Sequence, residues 1–393
     1  MKVAYFSPFP PKKTGIATYS KNFVSELGSL VELELFDTEN SNCFERPIHG
    51  FLANPQSLEH ARDCDTRLYH IGNNPFFHQH IANLVKLHPG WVVLHDTVLY
   101  YLHAIRGKGG LMREIQACSS NPSKDLYSTL NFLSCLNEEE VLSYKSPENF
   151  PLIKDLLKNV LGVIVHSETA AKAVKHNGFK GTVRVINLPY YPKEMIKLSA
   201  SEVSLEKEKL GLSKQVMLLG CFGFLASTKR IDSILEASKI LLNQGIKIKI
   251  LFVGTGENYK EKITDTNLLQ NCIFKEFVDD QNFQKYLSVT DLILNLRYPS
   301  MGESSATLFQ SLAYGKPCII TDFGSFSEVP DNIVIKVTHG ENEIKEIKDA
   351  IRICYEDQNF RKNLGNKAQE FVKRNNHPQK IALQYKEALF PVE

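Results

Sequence analysis

Residues 292–321 read LILNLRYPSMGESSATLFQSLAYGKPCIIT, and this stretch decides the fold class. The apolar run Leu292–Leu296 predicts a buried strand, Ala306–Ala313 has helical spacing, and Pro317–Thr321 predicts a second strand. A strand, a helix and another strand in this order are typical of the repeating unit of a parallel sheet. The stretch therefore predicts an α/β fold.

The same alternation runs along the rest of the chain in two successions. Further strands are predicted at Val3–Phe6, Glu32–Phe36, Arg67–Ile71, Val92–His95, Gly162–His166, Val183–Ile186, Val216–Phe222, Ile248–Val253 and Cys272–Phe274. Helices are predicted at Ile16–Leu27, Phe76–Leu87, Thr169–His176 and Ile231–Leu242, after Glu257, and throughout the tail from Glu341. Residues 97–160, which include Asn121-Pro122-Ser123, are expected to form an irregular helical insertion.

A break near Leu188-Pro189-Tyr190-Tyr191-Pro192-Lys193 divides the two successions, because its two prolines interrupt the pattern and a charged stretch follows. A chain of 393 residues is also long for one core. We predict two Rossmann-like, doubly wound domains, residues 1–190 and 191–371, with residues 372–393 packing back on the first. Ligands of such sheets bind at the carboxyl ends of the strands, so we expect a cleft between facing domains.

The composition limits the possible partners and compartment. A net charge of +2 gives no indication of nucleic-acid binding. The eight cysteines contain no CxxC pair, which favours buried free thiols in a reducing compartment. The start of the chain has too short an apolar run for a signal peptide, and no stretch reaches the roughly 20 apolar residues of a membrane span. The expected location is cytoplasmic, with peripheral contact at the inner face of the membrane as an open alternative.

The loop and helix start at 303–307 are the strongest candidate for chemistry. The helix is predicted to open near Ser304, which leaves the N–H groups of Ser305, Ala306 and Thr307 without helical partners. The helix dipole favours an anion such as a phosphate at that point. Glu303 beside these amides could accept hydrogen bonds from sugar hydroxyls. A capping box or a solvated loop acid explains the same residues equally well.

Five further motifs occur in the order of a known family. They are Pro10-Pro11 to Thr14-Gly15-Ile16-Ala17-Thr18-Tyr19, Tyr69-His70-Ile71-Gly72-Asn73-Asn74, Val92-Val93-Leu94-His95-Asp96, Gly223 to Lys229-Arg230-Ile231-Asp232, and Phe252-Val253-Gly254-Thr255-Gly256. Together with Glu303 to Pro317 they resemble the retaining glycosyltransferases of family 4, whose two-domain architecture is named GT-B. The resemblance covers nearly the whole chain.

The resemblance implies a role for each matched residue. His95 and Glu303 would hold the donor sugar, and Lys229 would stabilise the diphosphate leaving group in place of a metal ion. The remaining nucleotide-sugar contacts would come from Gly15, Gly223, Arg230, Arg297, Ser305, Ala306, Thr307 and Gln310. The acceptor side is assigned to Asn73, Asp96 and Tyr101, the last within an aromatic and basic stretch that could alternatively contact anionic lipid. No cofactor and no metal is expected.

Two positions depart from the family pattern. Phe224 stands where the family usually has an arginine, so Arg230 or Arg297 would have to replace one phosphate contact. Gln310 takes the place of the second glutamate, which normally accepts two hydrogen bonds from the ribose. Glutamine has only one acceptor oxygen. Either a UDP- or GDP-sugar is held more weakly, or the donor carries deoxyribose, as a dTDP-sugar does.

The expected activity is retaining transfer of a hexose or deoxyhexose from a nucleotide-diphosphate sugar to a hydroxyl of a glycan, glycolipid or glycoprotein. Two alternatives stay open: a sugar phosphorylase or sugar-phosphate synthase of the same fold, and a non-catalytic nucleotide-sugar-binding or scaffold subunit. A dehydrogenase fits poorly, because Gly254-x-Gly256 lacks a third glycine. The acidic pair Asp63-Cys64-Asp65 resembles a metal-binding DxD motif, but it precedes a strand and so belongs at the edge opposite the cleft.

Overall fold

The computed structural model describes the chain except for residues 41–43, 45–46, 120–123, 193–194, 214 and 392–393. Cys43, the 121–123 part of the expected insertion and Lys193 of the expected linker lie outside the described residues. The chain divides into two compact units. The first consists of Met1–Leu188, Met301–Ser304 and Pro378–Glu393, and the second of Pro189–Ser300 and Ser305–His377.

The first unit is built on a seven-stranded sheet. Its strands are β1 (Lys2–Phe6), β2 (Glu32–Asp37), β3 (Ile48–Gly50), β4 (Thr66–Ile71), β5 (Trp91–Leu94), β6 (Gly162–Val165) and β7 (Thr182–Val185). All neighbouring strands are parallel, in the order β3-β2-β1-β4-β5-β6-β7. The strand order reverses at the β1–β4 pair, and the carboxyl edge beside such a reversal is where open α/β sheets bind ligands.

The helices of the first unit flank this sheet and form the insertion. They are α1 (Gly15–Leu27), α2 (Pro75–Leu87), α3 (Tyr100–Ala104), α4 (Gly107–Cys118), α5 (Lys124–Cys135), α6 (Glu138–Leu142) and α7 (Glu168–His176), with short 3₁₀ helices at Pro55–Ala61 and Pro147–Asn149. The helical insertion expected at 97–160 is therefore present as α3 to α6. It has a small core of its own, to which Tyr100, Leu111 and Leu133 contribute fully buried side chains.

The second unit contains a six-stranded sheet. Its strands are β8 (Met217–Phe222), β9 (Ile248–Val253), β10 (Cys272–Lys275), β11 (Leu292–Asn295), β12 (Cys318–Thr321) and β13 (Ile335–Val337). They are parallel in the order β10-β9-β8-β11-β12-β13. Its helices are α8 (Ala200–Lys209), α9 (Ile231–Asn243), α10 (Tyr259–Lys262), α11 (Thr266–Gln270), α12 (Asp280–Val289), α13 (Ala306–Ala313), α14 (Glu343–Glu356) and α15 (Gln358–Asn375), with 3₁₀ helices at Ser227–Lys229 and Gly324–Glu328.

Helices cover both faces of the second sheet, which explains why its strands are continuous apolar runs. All six residues of β8 are buried. Leu219 packs in one core cluster with Ile234 of α9 and Ile347 of α14. The adjacent Leu218 points to the other face and packs in a second cluster with Leu312 of α13. Two doubly covered parallel sheets confirm the predicted fold class.

The last helix, α16 (Pro378–Leu389), belongs to the first unit. Its Tyr385 is fully buried and packs against Phe23 of α1, with ring centroids 4.8 Å apart and ring planes tilted by 60°. The hydroxyls of Tyr385 and Tyr19 lie 2.9 Å apart. Apolar and polar contacts together therefore fix the carboxyl-terminal helix on α1.

The cysteine expectation is only partly right. Seven cysteines fall within the described residues and all are free thiols. Cys64, Cys221, Cys318 and Cys354 are buried, as expected, but Cys135 is exposed because it ends α5 on the solvent side. In the part of the chain that the structure describes, no helix is long and apolar enough to cross a bilayer.

Candidate active site

The carboxyl edge of the first sheet gathers histidines from three neighbouring strands. His70 lies in β4, His95 directly follows β5, and His166 directly follows β6. His95 Nε2 lies 3.0 Å from His70 Nδ1, and His95 Nδ1 lies 3.3 Å from His166 Nε2. The ring of Tyr19 covers the group, edge-on to His95 at 5.3 Å. Both ring nitrogens of His95 are thus engaged by other histidines.

These histidines are uncharged at neutral pH. Burial lowers the pKa of His70 and of His95 well below its ordinary value. It also lowers the pKa of His166 to about 4, although the carbonyl oxygen of Ile186, which accepts a hydrogen bond from His166 Nδ1, partly opposes the shift. The low-dielectric surroundings disfavour the imidazolium form.

The residues predicted for the acceptor side form one hydrogen-bonded group. Asp96 Oδ2 accepts a hydrogen bond from Asn73 N at 2.7 Å. Asn73 Oδ1 accepts hydrogen bonds from the first-turn amides of α3, Tyr101 N at 2.9 Å and Leu102 N at 3.3 Å. The hydroxyl of Tyr101 donates to Tyr144 O at 2.9 Å. The structure therefore brings Asn73, Asp96 and Tyr101 together, and it gives Asn73 the structural task of capping α3.

The loop that carries Glu303 belongs to the first unit and lies beside this edge. The carbonyl oxygen of Met301 accepts hydrogen bonds from Thr97 N at 2.8 Å and Val98 N at 3.0 Å, just after His95. Glu303 Oε2 accepts from Met301 N at 2.6 Å. Met301 therefore fixes the loop to the segment that follows β5, and Glu303 lies two residues after Met301.

Gly15 opens α1 at the same edge. A Cβ added there would meet no atom within 4 Å. The N-cap residue Thr14 makes no side-chain hydrogen bond to the helix. The backbone at the start of α1 is therefore accessible, as expected for a residue that lets a ligand approach.

In the second unit, three predicted residues meet at the end of β8. A Cβ placed on Gly223 would lie 3.1 Å from Lys229 Nζ and 3.9 Å from Thr307 Oγ1. Lys229 is buried, and its ammonium group donates a hydrogen bond to Phe222 O. We call Gly223, Lys229 and Thr307 the phosphate cradle, because a cation, a hydroxyl and an open backbone face one point.

The start of α13 completes the cradle. The helix begins at Ala306, two residues after the predicted Ser304. Ser305 is the N-cap; its Oγ accepts from Leu308 N at 3.2 Å and from Asn295 Nδ2 at 3.0 Å. The N–H groups of Ala306 and Thr307 have no partner within the helix, since first-turn amides lie beyond the reach of the i−4 pattern. Gln310 lies one turn further along the same helix.

The two arginines proposed as replacement phosphate contacts, Arg230 and Arg297, each form hydrogen bonds within the second unit. Arg230 adopts a left-handed backbone, with φ of +56°, and its Nε donates to Glu343 Oε1 at 2.9 Å. Glu343 is almost completely buried, and it raises the pKa of Arg230. The Arg230 guanidinium is thus bound to Glu343, and its phosphate contact stays a prediction. Arg297 follows β11, where its backbone N donates to Thr321 Oγ1 at 3.0 Å.

Comparison with known proteins finds a similar family for the second half of the chain. The family described as "Glycosyl transferases group 1" matches residues 203–371, which contain the phosphate cradle and α13. This part of the chain is therefore similar to the group 1 glycosyl transferases.

A curated relative is similar over about half of its length. The chain is 30% identical over 229 residues to the "Uncharacterized glycosyltransferase MJ1069" of Methanocaldococcus jannaschii, covering 55% of this chain and 56% of that protein. The chain spans about half the length of the curated relatives it matches.

Solved structures share the fold over the full length. The sucrose-phosphate synthase of Thermosynechococcus elongatus superposes with a TM-score of 0.68 at 15% identity, covering 99% of this chain and 98% of that chain. Anabaena HepE in complex with UDP and glucose superposes with a TM-score of 0.65 at 14% identity over 100% of both chains. At these identities the likeness establishes the GT-B fold alone.

The acidic pair Asp63 and Asp65 lies away from the candidate site. Asp65 precedes β4, and its Oδ2 accepts from Lys2 N at 2.7 Å at the amino end of β1. This is the edge opposite His95. Among the residues that the structure describes, no group of three or more His, Cys, Asp or Glu side chains is arranged to hold a metal ion.

Sequence reasoning missed three partners in the site: His70, His166 and Glu343. The histidines could have been found from one signal, because neighbouring predicted strands end in Tyr69-His70-Ile71, Leu94-His95 and Val165-His166. Glu343 gave no such signal, since it lies 113 residues after its partner Arg230.

Proposed function

We propose that the chain is a retaining, metal-independent glycosyltransferase of the family 4 type. It would move a hexose or deoxyhexose from a nucleotide-diphosphate sugar to a hydroxyl acceptor. The observation that carries the proposal is the phosphate cradle, in which Lys229 and Thr307, the latter in the first turn of α13, lie beside Gly223.

The cradle suits the charge that develops when the bond to the sugar breaks. The diphosphate leaves with additional negative charge on its oxygens. A buried ammonium group and a helix N-terminus both stabilise that charge without reorganising, and they act more strongly where water is excluded. Lys229 would thus replace the metal ion that other sugar transferases use.

The sugar would be held by the first unit. Glu303 and His95 lie on the same edge of the first sheet, where Met301 and Thr97 join their two segments. The Glu303 carboxylate can accept hydrogen bonds from sugar hydroxyls. The two nitrogens of His95 are engaged by His70 and His166, so His95 would contact the sugar through the carbon edge of its ring. Attack of the acceptor on the face from which the diphosphate leaves would give retention and would need no protein nucleophile. Asn73, Asp96 and Tyr101 then stand as acceptor-side candidates.

The identity of the base depends on Gln310. HepE binds UDP, and UDP is the first donor nucleotide to test here. Gln310 offers one acceptor oxygen where a carboxylate would accept from both ribose hydroxyls. A dTDP-sugar, which has one ribose hydroxyl fewer, suits this side chain better than a UDP- or GDP-sugar.

Titration calorimetry with UDP, GDP and dTDP and their sugars, in buffer with EDTA, tests the proposal. We expect binding of at least one nucleotide and slow hydrolysis of its sugar. Lys229→Met should weaken binding about tenfold or more, because a desolvated charge pair is lost. Lys367→Met, at an exposed position of α15, is the matched control. Absence of nucleotide binding throughout would overturn the assignment, and binding without hydrolysis or transfer would favour a scaffold subunit.

A further inference from the structure

The three histidines at the edge of the first sheet form a hydrogen-bonded series, in which each ring donates to the next in one direction. The direction starts at Ile186, whose carbonyl oxygen lies 2.8 Å from His166 Nδ1. A carbonyl oxygen only accepts, so Nδ1 of His166 carries the hydrogen. A neutral imidazole has one N–H, which leaves His166 Nε2 as an acceptor.

The same assignment of donor and acceptor nitrogens applies to the next two rings. His166 Nε2 can only accept, so His95 Nδ1, at 3.3 Å, must donate to it. His95 Nε2 is then an acceptor, and His70 Nδ1, at 3.0 Å, donates to it. One carbonyl group therefore fixes the tautomer of all three rings.

His70, the last ring of the hydrogen-bonded series, agrees with this direction. His70 Nε2 is buried and has no hydrogen-bond partner among the described residues. The sequence of donors makes this nitrogen an unprotonated acceptor. An unpaired buried acceptor is more easily tolerated than an unpaired buried N–H group. His78 donates from its Nδ1 to the carbonyl oxygen of His70 at 3.1 Å and so holds β4, the strand that carries His70.

We propose that His70 and His166 are positioning residues that hold the ring of His95 as a neutral tautomer with its hydrogen on Nδ1. The proposal rests on the proposed function, in which His95 contacts the donor sugar. Because both of its nitrogens are hydrogen-bonded, the His95 ring has one orientation and no net charge. The groups facing it are uncharged as well: His70, His166 and the ring of Tyr19. His95 therefore enters the reaction already oriented.

Nuclear magnetic resonance of the full chain with ¹⁵N-labelled histidine tests the tautomer directly. Two-bond proton–nitrogen correlations distinguish a protonated from an unprotonated ring nitrogen. We expect His95, assigned by the signals that vanish in His95→Gln, to have a protonated Nδ1 and an unprotonated Nε2 at pH 7. A protonated Nε2 or a cationic ring at His95 would overturn the proposal. If His95→Gln does not fold, the signals that change in the variants below assign the ring.

Two substitutions at His166 separate positioning from packing. His166→Gln keeps a donor for Ile186 and an acceptor for His95, whereas His166→Leu keeps bulk but loses both. We expect His166→Leu to mix the two His95 tautomers and to lower kcat/KM for transfer about tenfold, the size of one hydrogen bond, with His166→Gln recovering most of the loss. Exposed His176→Leu is the control. Equal losses in the leucine and glutamine variants, with an unchanged His95 tautomer, would contradict the inference.

The spectroscopic result does not require activity. If the chain transferred no sugar, the proposed function would fail while the tautomer of His95 could still be measured. Conversely, an active chain with the wrong tautomer would remove only the role of His70 and His166.

Discussion

Lys229 Nζ lies 3.1 Å from the point that a Cβ on Gly223 would occupy, and Thr307 Oγ1 lies 3.9 Å from it. Gly223 also has a φ of +92°, a conformation that favours glycine. The empty side of this glycine is therefore where the cation and the hydroxyl point. A methyl group would fill the space that we assign to a phosphate.

Gly223→Ala is accordingly expected to weaken nucleotide binding about tenfold or more, because the methyl group blocks the cradle. Gly245→Ala is a matched control: Gly245 has a φ of +80° but no atom within 4 Å of an added Cβ. Both variants should lose about 1 kcal/mol of stability from backbone strain. Calorimetry and urea unfolding measure the two effects, and similar nucleotide affinities in both variants would contradict the cradle.

The Arg230–Glu343 pair should be asymmetric in its effect on stability. Glu343 has an exposed side-chain fraction of 1%, whereas that of Arg230 is 32%. Arg230→Met leaves a buried carboxylate without its cation and should cost about 3 kcal/mol. Glu343→Gln leaves an arginine that water can reach and should cost about 1 kcal/mol. Urea unfolding of the two variants measures this difference.

Nucleotide affinity separates the structural from the phosphate-binding role of Arg230. Folded Arg230→Met should retain wild-type affinity within about threefold, because its guanidinium already binds Glu343. A tenfold loss, as expected for Lys229→Met, would instead support the phosphate-binding role that the sequence predicts for Arg230.

The sequence predicted the fold well because local signals and tertiary structure agree. The predicted bounds of Ala306–Ala313 and Ile248–Val253 are those of α13 and β9. Strands β3 and β13 were missed, since three residues at a sheet edge are too short to show a periodicity.

The site was only partly predictable because its contacts join distant segments. Gly223, Lys229 and Thr307 were found through their motifs. The partners of His95 come from β4 and β6, and only the strand order brings those ends together. The commitment of Arg230 to Glu343 likewise depends on where α14 packs on α9.

Gly302 should control the position of the Glu303 loop. Its φ is +80°, and a Cβ there would lie 1.8 Å from Thr97 Oγ1. Gly302→Ala must therefore displace the loop from the segment that follows β5. We expect kcat for transfer to fall about tenfold or more, since an error of about 1 Å in a catalytic geometry is costly, while nucleotide affinity stays unchanged.

Gly340→Ala is the control for the Gly302 substitution, because Gly340 has a φ of +109° and no atom within 4 Å of an added Cβ. Single-turnover rates and calorimetric affinities are the measurements. A normal rate in Gly302→Ala would show that the contact with Thr97 does not position Glu303.

The buried histidines should make stability depend on pH. Burial lowers the pKa of His78 and of His166 to about 4, below the ordinary value of 6.5. Between those pH values these two histidines are protonated in the unfolded chain but remain neutral in the folded chain. The contribution of these groups is therefore fully present above pH 6.5 and is lost as the pH falls towards 4.

His78→Gln tests this pH dependence, because it removes one titrating group. It should reduce the dependence of unfolding free energy on pH by up to about 1.4 kcal/mol per pH unit between pH 6 and pH 4.5, since one protonation difference disappears. Urea unfolding at half-unit pH steps measures the slope. Exposed His176→Gln serves as the control, because carboxylates that titrate in the same range affect both variants equally. Equal slopes in His78→Gln and the wild type would contradict the prediction, because His78 would then have the same pKa in the folded and unfolded chains.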